Sequence, residues 1–500
     1  MNESSIRSIA IVGGDIAGWT AAAGLANSLK GLDVSITVLE LPDLINVEPV
    51  QYTTPGTLAF FEHLGIDATE LVRQTGATYR LGTGLHDVSA KGDHRISAFG
   101  PHGAMMGFVH FNHFIARAKS GGQDLHLNDY SPTAVAARNA KFCISDDRAA
   151  PPIHFGLNLN TEKLTQLLSR NATLNGVRTA RSRVDGVRIS GDGRRIETLL
   201  LDDGSQLQAD FYIDCSGEDG LLTGATLGVE YVDWSHWLPC SKAIGVTAKT
   251  PHDNIPVHHC TATDNGWLLS TPLQYRTACR FLYCPEDVGD EAAATEVRDY
   301  LGVDEAEALA MNDVRSGHRA APWHLNCVAL GAAAGYVEPL DLSTLHFIQS
   351  AVLRLAQLWP ASVFQPELAA EYNRAVINEF ECVRDFTMLR YIGATWRSTP
   401  FWKRVASSDR PDSLENRIEL FRSRGRVHLD EHETFDRDAW VGAFLAAELW
   451  PAGYDPLLDS LDAQQLQQHF TRMKVTIAQA VQAMPGHRDF ISKQLALPHC

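Results

Sequence analysis

The sequence lacks the features that would place it among several common classes. Its nine cysteines are odd in number, widely spaced and never in a C-x-x-C pair. Neither a zinc site nor a disulfide framework is expected from such spacing, and reduced thiols in a cytoplasm fit it best. No apolar run approaches the ~20 residues that span a bilayer. The stretch from Met1 to Ser8 is short and polar, without the basic and apolar regions of a signal peptide, so a cytoplasmic protein with no membrane association is expected. The net charge of −17 is spread without blocks, and clustered Lys and Arg are missing, which argues against nucleic acid. G-x-S-x-G and H-E-x-x-H are both absent, which removes support for triad hydrolase and zinc peptidase chemistry. There is no internal repeat and no Pro/Gly/Ser linker.

What is present is a 500-residue chain, 45% hydrophobic, able to bury a full core. Ile9 to Val12 is an apolar, β-branched run that ends in Gly13-Gly14-Asp15-Ile16-Ala17-Gly18 and continues as an Ala- and Leu-rich stretch from Trp19 to Lys30. This reads as strand, tight turn and helix. Asp33 to Glu40 supplies a second strand ending in a carboxylate about twenty residues after the last glycine of the turn, which completes a βαβ dinucleotide-binding unit. Alternation between 186 and 215 predicts strands that return to the nucleotide sheet, with a mixed sheet to about 330. From Ala351 onward helical spacing dominates, with breaks at Pro400-Phe401-Trp402 and Trp450-Pro451. The expected fold class is α/β. A dinucleotide box with an inserted sheet spans 1–350, and a mainly helical substrate-side region, 351–500, packs on it as one body.

A dinucleotide turn needs glycine for the turn itself, for approach to the pyrophosphate and for helix packing. Gly13 and Gly18 meet the first and third needs. Asp15 occupies the second position and sets a negative charge where phosphates would meet a helix N-terminus. Glu40 is placed to hydrogen-bond a ribose hydroxyl. Trp19, Trp237, Trp267 and Trp402 sit in apolar settings and read first as core. The histidines His102, His110 and His113 lack a suitably spaced Cys or carboxylate, so surface or hydrogen-bonded histidines, not a metal site, are expected.

Seven blocks occur in order: GGDIAGWTAA, ATYRLG (77–82), IDCSGEDGLL (213–222), WLPCSKA (237–243), GWLLSTP (266–272), GAAAGYVEPLDLSTLHFI (331–348), and RDFTMLRY with STPFW (384–402). Together they resemble the flavin-dependent tryptophan halogenases over roughly residues 6–455. The resemblance implies a FAD-monooxygenase-like dinucleotide-binding fold. It also implies reduced FAD from a separate flavin reductase, a flavin hydroperoxide that oxidises chloride, and a lysine with a glutamate that deliver the oxidant to an aromatic substrate. Gly13, Asp15, Gly18, Glu40, Gly331 and Pro339 would then lie on the cofactor side, Ser343 and Thr344 at the halide, and Trp267 and Trp440 at the substrate.

Several positions depart from the family pattern. The family lysine falls at Arg80, whose pKa above ~12 denies it a free amine. The family E-S-T-G aligns with Asp341-Leu342-Ser343-Thr344, giving a shorter carboxylate and replacing the Thr-Gly backbone that would hold chloride. The family W-x-W-x-I-P keeps Trp267 and Pro272 but loses its second tryptophan. Ala332 replaces the Asp or Asn of the second flavin block, and Gln51 replaces the glutamate of G-E-x-T-x-P within 45–55. Because these changes lie in separate segments that converge at one site, the leading expectation is a halogenase-fold protein with doubtful flavin binding. Such a protein does not halogenate by itself and acts as a non-catalytic or regulatory partner, as homodimer or as heterodimer with a related halogenase. The alternative is an active FADH2-dependent halogenase or monooxygenase of an indole-type small molecule or peptide indole, using Arg80 and Asp341. A dehydrogenase unrelated to this family would explain the βαβ unit alone.

Overall fold

The computed structural model describes residues 5–44, 48–123, 125–145, 151–248, 255–302 and 310–496. The chain forms two compact units that interleave along the sequence: Met1–Gly76, Leu159–Gly245 and Ala310–Glu381 in the first, and Ala77–Asn158, Val246–Leu309 and Cys382–Cys500 in the second. Residue 350 falls inside the helix Thr344–Gln357, and the first unit continues to Glu381.

The first unit is built on a six-stranded sheet. Its order is Trp323–His324, Cys327–Ala329, Phe211–Asp214, β1 (Ser8–Val12), β2 (Ser35–Glu40) and Arg178–Arg181. β1 runs parallel to β2 and to Phe211–Asp214, with Val12 opposite both Leu39 and Asp214. The predicted return of the chain to the nucleotide sheet is therefore present. Ile9 to Val12 is wholly buried, as a central parallel strand covered on both faces must be. Parallel pairing brings the carboxyl ends of the three strands to one edge, where ligands of open α/β sheets bind.

The helix α1 (Ile16–Ser28) connects β1 to β2 and starts three residues earlier than the apolar pattern suggests. Its Ala and Gly content follows from close packing. A Cβ on Gly24 would sit 2.6 Å from Val352 Cγ1 and 3.0 Å from Phe60 Cζ, so larger residues would separate α1 from the helices Thr344–Gln357 and Pro55–His63.

Asp214, fully buried at the end of its strand, accepts from the amides of Ser216, Leu222 and Thr223 and from the hydroxyls of Ser216 and Thr223. The carboxylate thus satisfies the amides that open the π-helical turn Leu221–Thr226.

In the second unit, strands Thr277–Tyr283, Gly266–Pro272, His258–Ala262, Gly82–His86 and His94–Ala98 lie side by side in that order. All pairings are antiparallel except His258–Ala262 with Gly82–His86. The short strand Thr78–Arg80 pairs with Gly156–Asn160, Arg80 opposite Gly156. Helices Pro400–Ser407, Asp412–Arg424, Arg437–Ala446, Ala463–Gln482 and His487–Ala496 supply the helical character expected after Ala351. Pro400 opens a helix at its first turn, where its missing N–H is tolerated. No described helix is long and apolar enough to cross a membrane.

Candidate functional site

The turn from β1 into α1 needs its glycines. Gly13 adopts φ +118°, and a Cβ there would lie 2.1 Å from the Cys215 carbonyl oxygen; on Gly18 it would lie 1.8 Å from the Gly13 oxygen. Both positions exclude any side chain. Asp15 serves a different purpose from a phosphate-facing glycine. It is the N-cap of α1, and its Oδ1 accepts from Ala17 N at 3.0 Å and Gly18 N at 3.1 Å. Burial pushes its carboxyl up to about 6 against the opposing pull of those amides, and the charge of Glu48 adds to the rise.

These contacts decide how a FAD pyrophosphate would fit. The amides it would meet at the helix N-terminus are already held by a carboxylate that is mostly ionised at neutral pH. The pyrophosphate end of the site therefore does not fit a dianionic group as it stands. The ribose end does fit the pattern: Glu40 closes β2 beside the turn, and a Cβ on Gly14 would lie 2.5 Å from Glu40 Cγ. Gly331, at φ +62°, also abuts this turn, with a Cβ position 2.8 Å from Ala17 Cβ. The second flavin-type block is thus brought to the start of α1.

The aligned halide segment is tied to the strip from Glu48 onward; of the expected 45–55 block, Ile45, Asn46 and Val47 lie outside the described residues. Ser343 Oγ donates to Tyr52 O at 2.9 Å and accepts from Tyr52 N at 3.1 Å. The Tyr52 hydroxyl donates to the Pro339 carbonyl. At the N-terminus of the helix Thr344–Gln357, Leu345 N donates to Gln51 Oε1 at 3.1 Å. Thr344 Oγ1 and Gln51 Nε2 both donate to Glu48 Oε2, at 2.9 and 2.7 Å. An amide and a hydroxyl that could face a halide are engaged by side-chain oxygens of the protein, one of them a carboxylate. Asp341, just before this turn, is buried.

Glu48 was not singled out from sequence, although it lies only three residues before Gln51. Glu338, buried, accepts from Cys240 N at 3.3 Å and was also missed.

In the second unit Arg80 is fully buried. Its Nη2 donates to Thr83 Oγ1 at 2.9 Å and its guanidinium lies 4.9 Å from the Phe99 ring centroid. His258, opposite Thr83 on the neighbouring strand, is held well below the usual imidazole range by burial and by the Arg80 charge. A cavity of about 220 Å³ opens beside Thr78, on the strand of Arg80, walled by Pro272, Leu273, His487 and Ile491. Trp267 and Trp440 have no exposed surface. Trp267 packs edge-on against Trp402 and Tyr391, with centroids 5.5 and 5.3 Å away. Trp440 lies under Arg417, 4.6 Å away, and meets Phe386 edge-to-face at 5.2 Å. His102 bonds Asn128 at 3.2 Å, and burial pushes both His102 and His113 down to about 4. These two histidines are neutral hydrogen-bonding or packing groups.

A family model described as tryptophan halogenase matches residues 8–463. Tryptophan 6-halogenase SttH of Streptomyces toxytricini is 28% identical over 457 residues, covering 87% of this chain and 86% of its own. Among solved structures, BrvH, a flavin-dependent halogenase from Brevundimonas sp. BAL3, superposes with a TM-score of 0.92 at 30% identity, covering 98% of this chain and 99% of its own. Xcc4156, a flavin-dependent halogenase from Xanthomonas campestris, gives 0.93 at 29% identity, with 99% and 100% covered.

Proposed function

Because this chain belongs to the tryptophan halogenase family, we propose that it keeps that family's flavin-type scaffold without carrying out standard halogenation itself. It acts instead as a cytoplasmic, non-catalytic or regulatory partner, on its own dimer or paired with an intact halogenase. The observation that carries this reading is the occupied anion site. Glu48, Gln51 and Asp15 present oxygen atoms to Thr344 Oγ1, Leu345 N and the first amides of α1. A halide or a pyrophosphate entering there would have to displace a neutral or anionic oxygen of the protein, and like charge opposes both. In this reading Gly13, Gly18, Glu40, Gly331 and Pro339 preserve the shape of the cofactor side, while Ser343 and Thr344 stitch the former halide turn to Tyr52 and Glu48.

The test supplies the purified chain with FAD, a flavin reductase, chloride or bromide, and tryptophan or a tryptophan-containing peptide, followed by mass spectrometry. No halogenated indole is expected, and robust turnover would overturn the proposal.

A second reading is favoured by one observation, the buried cation at Arg80 with a cavity of about 220 Å³ beside its strand. That volume exceeds the ~150 Å³ known to accept benzene. Here the chain is an active flavin-dependent halogenase or monooxygenase of an indole-type substrate. Arg80 orients the oxidant by hydrogen bonds, Asp341 replaces the family glutamate, and Trp267 and Trp440 support the substrate wall. Arg80→Lys would raise turnover in that case and leave the first reading's null result unchanged.

A further inference from the structure

Three histidines of the second unit form an array that the halogenase reading does not use. His86 ends the strand Gly82–His86 directly opposite His94, which begins the strand His94–Ala98. Their Nδ1 atoms are 2.7 Å apart. The other nitrogen of His86, Nε2, lies 2.8 Å from Nδ1 of His259 on the next strand. His94 is exposed, His86 half-buried and His259 buried.

A glycine makes this approach possible. Gly84 lies opposite His259, and a Cβ there would meet His259 Nδ1 at 3.1 Å and His86 Nε2 at 3.3 Å. His259 reaches diagonally over that bare position to His86.

Each of the two nitrogen–nitrogen contacts can hold one proton and no more. With His86 donating from Nε2 to His259, the Nδ1 of His86 is left unprotonated and aimed at Nδ1 of His94. This is the arrangement of a metal-ligating imidazole whose far N–H is held by an outer partner, which fixes its tautomer and ring orientation. We propose that His86 and His94 form a two-imidazole site for a late first-row divalent ion such as Zn²⁺ or Cu²⁺, with His259 as the positioning residue behind His86. Metal–nitrogen bonds of ~2.0–2.1 Å at a tetrahedral angle need the two nitrogens about 3.3 Å apart. The pair therefore opens by only about half an ångström, which the exposed His94 ring supplies by rotation. Binding forms two metal–nitrogen bonds, and the proton that the Nδ1–Nδ1 contact held passes through water to Nε2 of the exposed His94 ring, so both ligands stay neutral imidazoles and no net proton is released. Waters fill the remaining positions, because among the described residues the single three-donor group with metal-like spacing is Cys382, Asp430 and Glu433. That other group already contains a cation: Arg417 pairs with Asp430 and, at 2.9 Å, with Glu433. Near the imidazoles, Asp93 is likewise engaged by Arg95 at 2.8 Å.

The test is calorimetric titration of Zn²⁺, then Cu²⁺, into the untagged, chelator-treated full chain. One ion per chain is expected, with Cu²⁺ tighter than Zn²⁺. Close to no net proton release is expected near pH 8, read as heats that do not change between buffers of different ionisation enthalpy. His94→Ala, at an exposed position that leaves folding intact, should abolish binding. His259→Ala and Gly84→Ala should each weaken it about tenfold, the scale of losing an outer-shell partner. Absence of saturable binding, or binding that survives His94→Ala in a chain with an unchanged circular dichroism spectrum, would overturn the proposal.

Discussion

Thr344 Oγ1 donates a 2.9 Å hydrogen bond to the same Glu48 oxygen that accepts from Gln51 Nε2 at 2.7 Å. Residues 296 positions apart are thereby locked at the turn where the family would hold its halide. Removing the carboxylate should leave two donors to find water. Glu48→Ala is expected to destabilise the chain by about 1–2 kcal/mol, the scale of charged hydrogen bonds at a half-buried site. Urea unfolding read by tryptophan fluorescence gives the value, and an unchanged midpoint would mean that the lock carries no stability.

Asp15 predicts a pH-dependent stability. Its folded-state carboxyl sits near 6, above the ordinary 3.8, so protonation favours the folded chain. The contribution is complete below about 3.8 and is lost as the pH rises through 6. Asp15→Asn keeps a good N-cap and removes the titration. The variant should match the natural chain near pH 4 and exceed it by about 1–3 kcal/mol at pH 8. Parallel denaturation curves at the two pH values check this, and a constant difference would refute it.

Flavin affinity should follow the same group with the same sign. The natural chain is expected to bind FAD more tightly as the pH falls through 6, because the carboxyl that holds Ala17 N and Gly18 N becomes neutral. Asp15→Gly should bind roughly tenfold or more tightly at pH 8, about 1.4 kcal/mol, and show little pH dependence in that range. Quenching of flavin fluorescence on titration measures both. Equal affinities for the two chains would show that the carboxylate does not face the pyrophosphate.

Trp267 is a packing residue in its surroundings, edge-on to Trp402 and Tyr391 with no exposed surface. Trp267→Ala should cost about 3–5 kcal/mol, whereas Trp267→Phe should lose a fraction of that. Thermal unfolding followed by circular dichroism distinguishes the two.

Local patterns carried the nucleotide unit. The apolar run before Gly13, the Ala-rich stretch after Gly18 and the run ending at Glu40 correspond to β1, α1 and β2 within a few residues, because each is specified by its own periodicity and turn chemistry. The role of Asp15 was half legible. Its charge at the helix start was visible, but its identity as the N-cap depends on a backbone angle that the residue type alone does not fix. Glu48 escaped notice because its partner lies at Thr344, and long-range pairing leaves no local trace. The same holds for His86 and His259, whose contact depends on strand register and on the missing side chain of Gly84. The interleaved units were hidden for a related reason, since neither is bounded by a linker of distinct composition.

The carboxylate at the start of α1 also bears on how the protein exists between ligands. A helix whose positive end awaits a phosphate depends on the cofactor for part of its electrostatic satisfaction. Here Asp15 supplies an internal hydrogen-bond acceptor to Ala17 N and Gly18 N. The opening turn of the nucleotide fold therefore has these two amides satisfied from within the chain, before any flavin arrives.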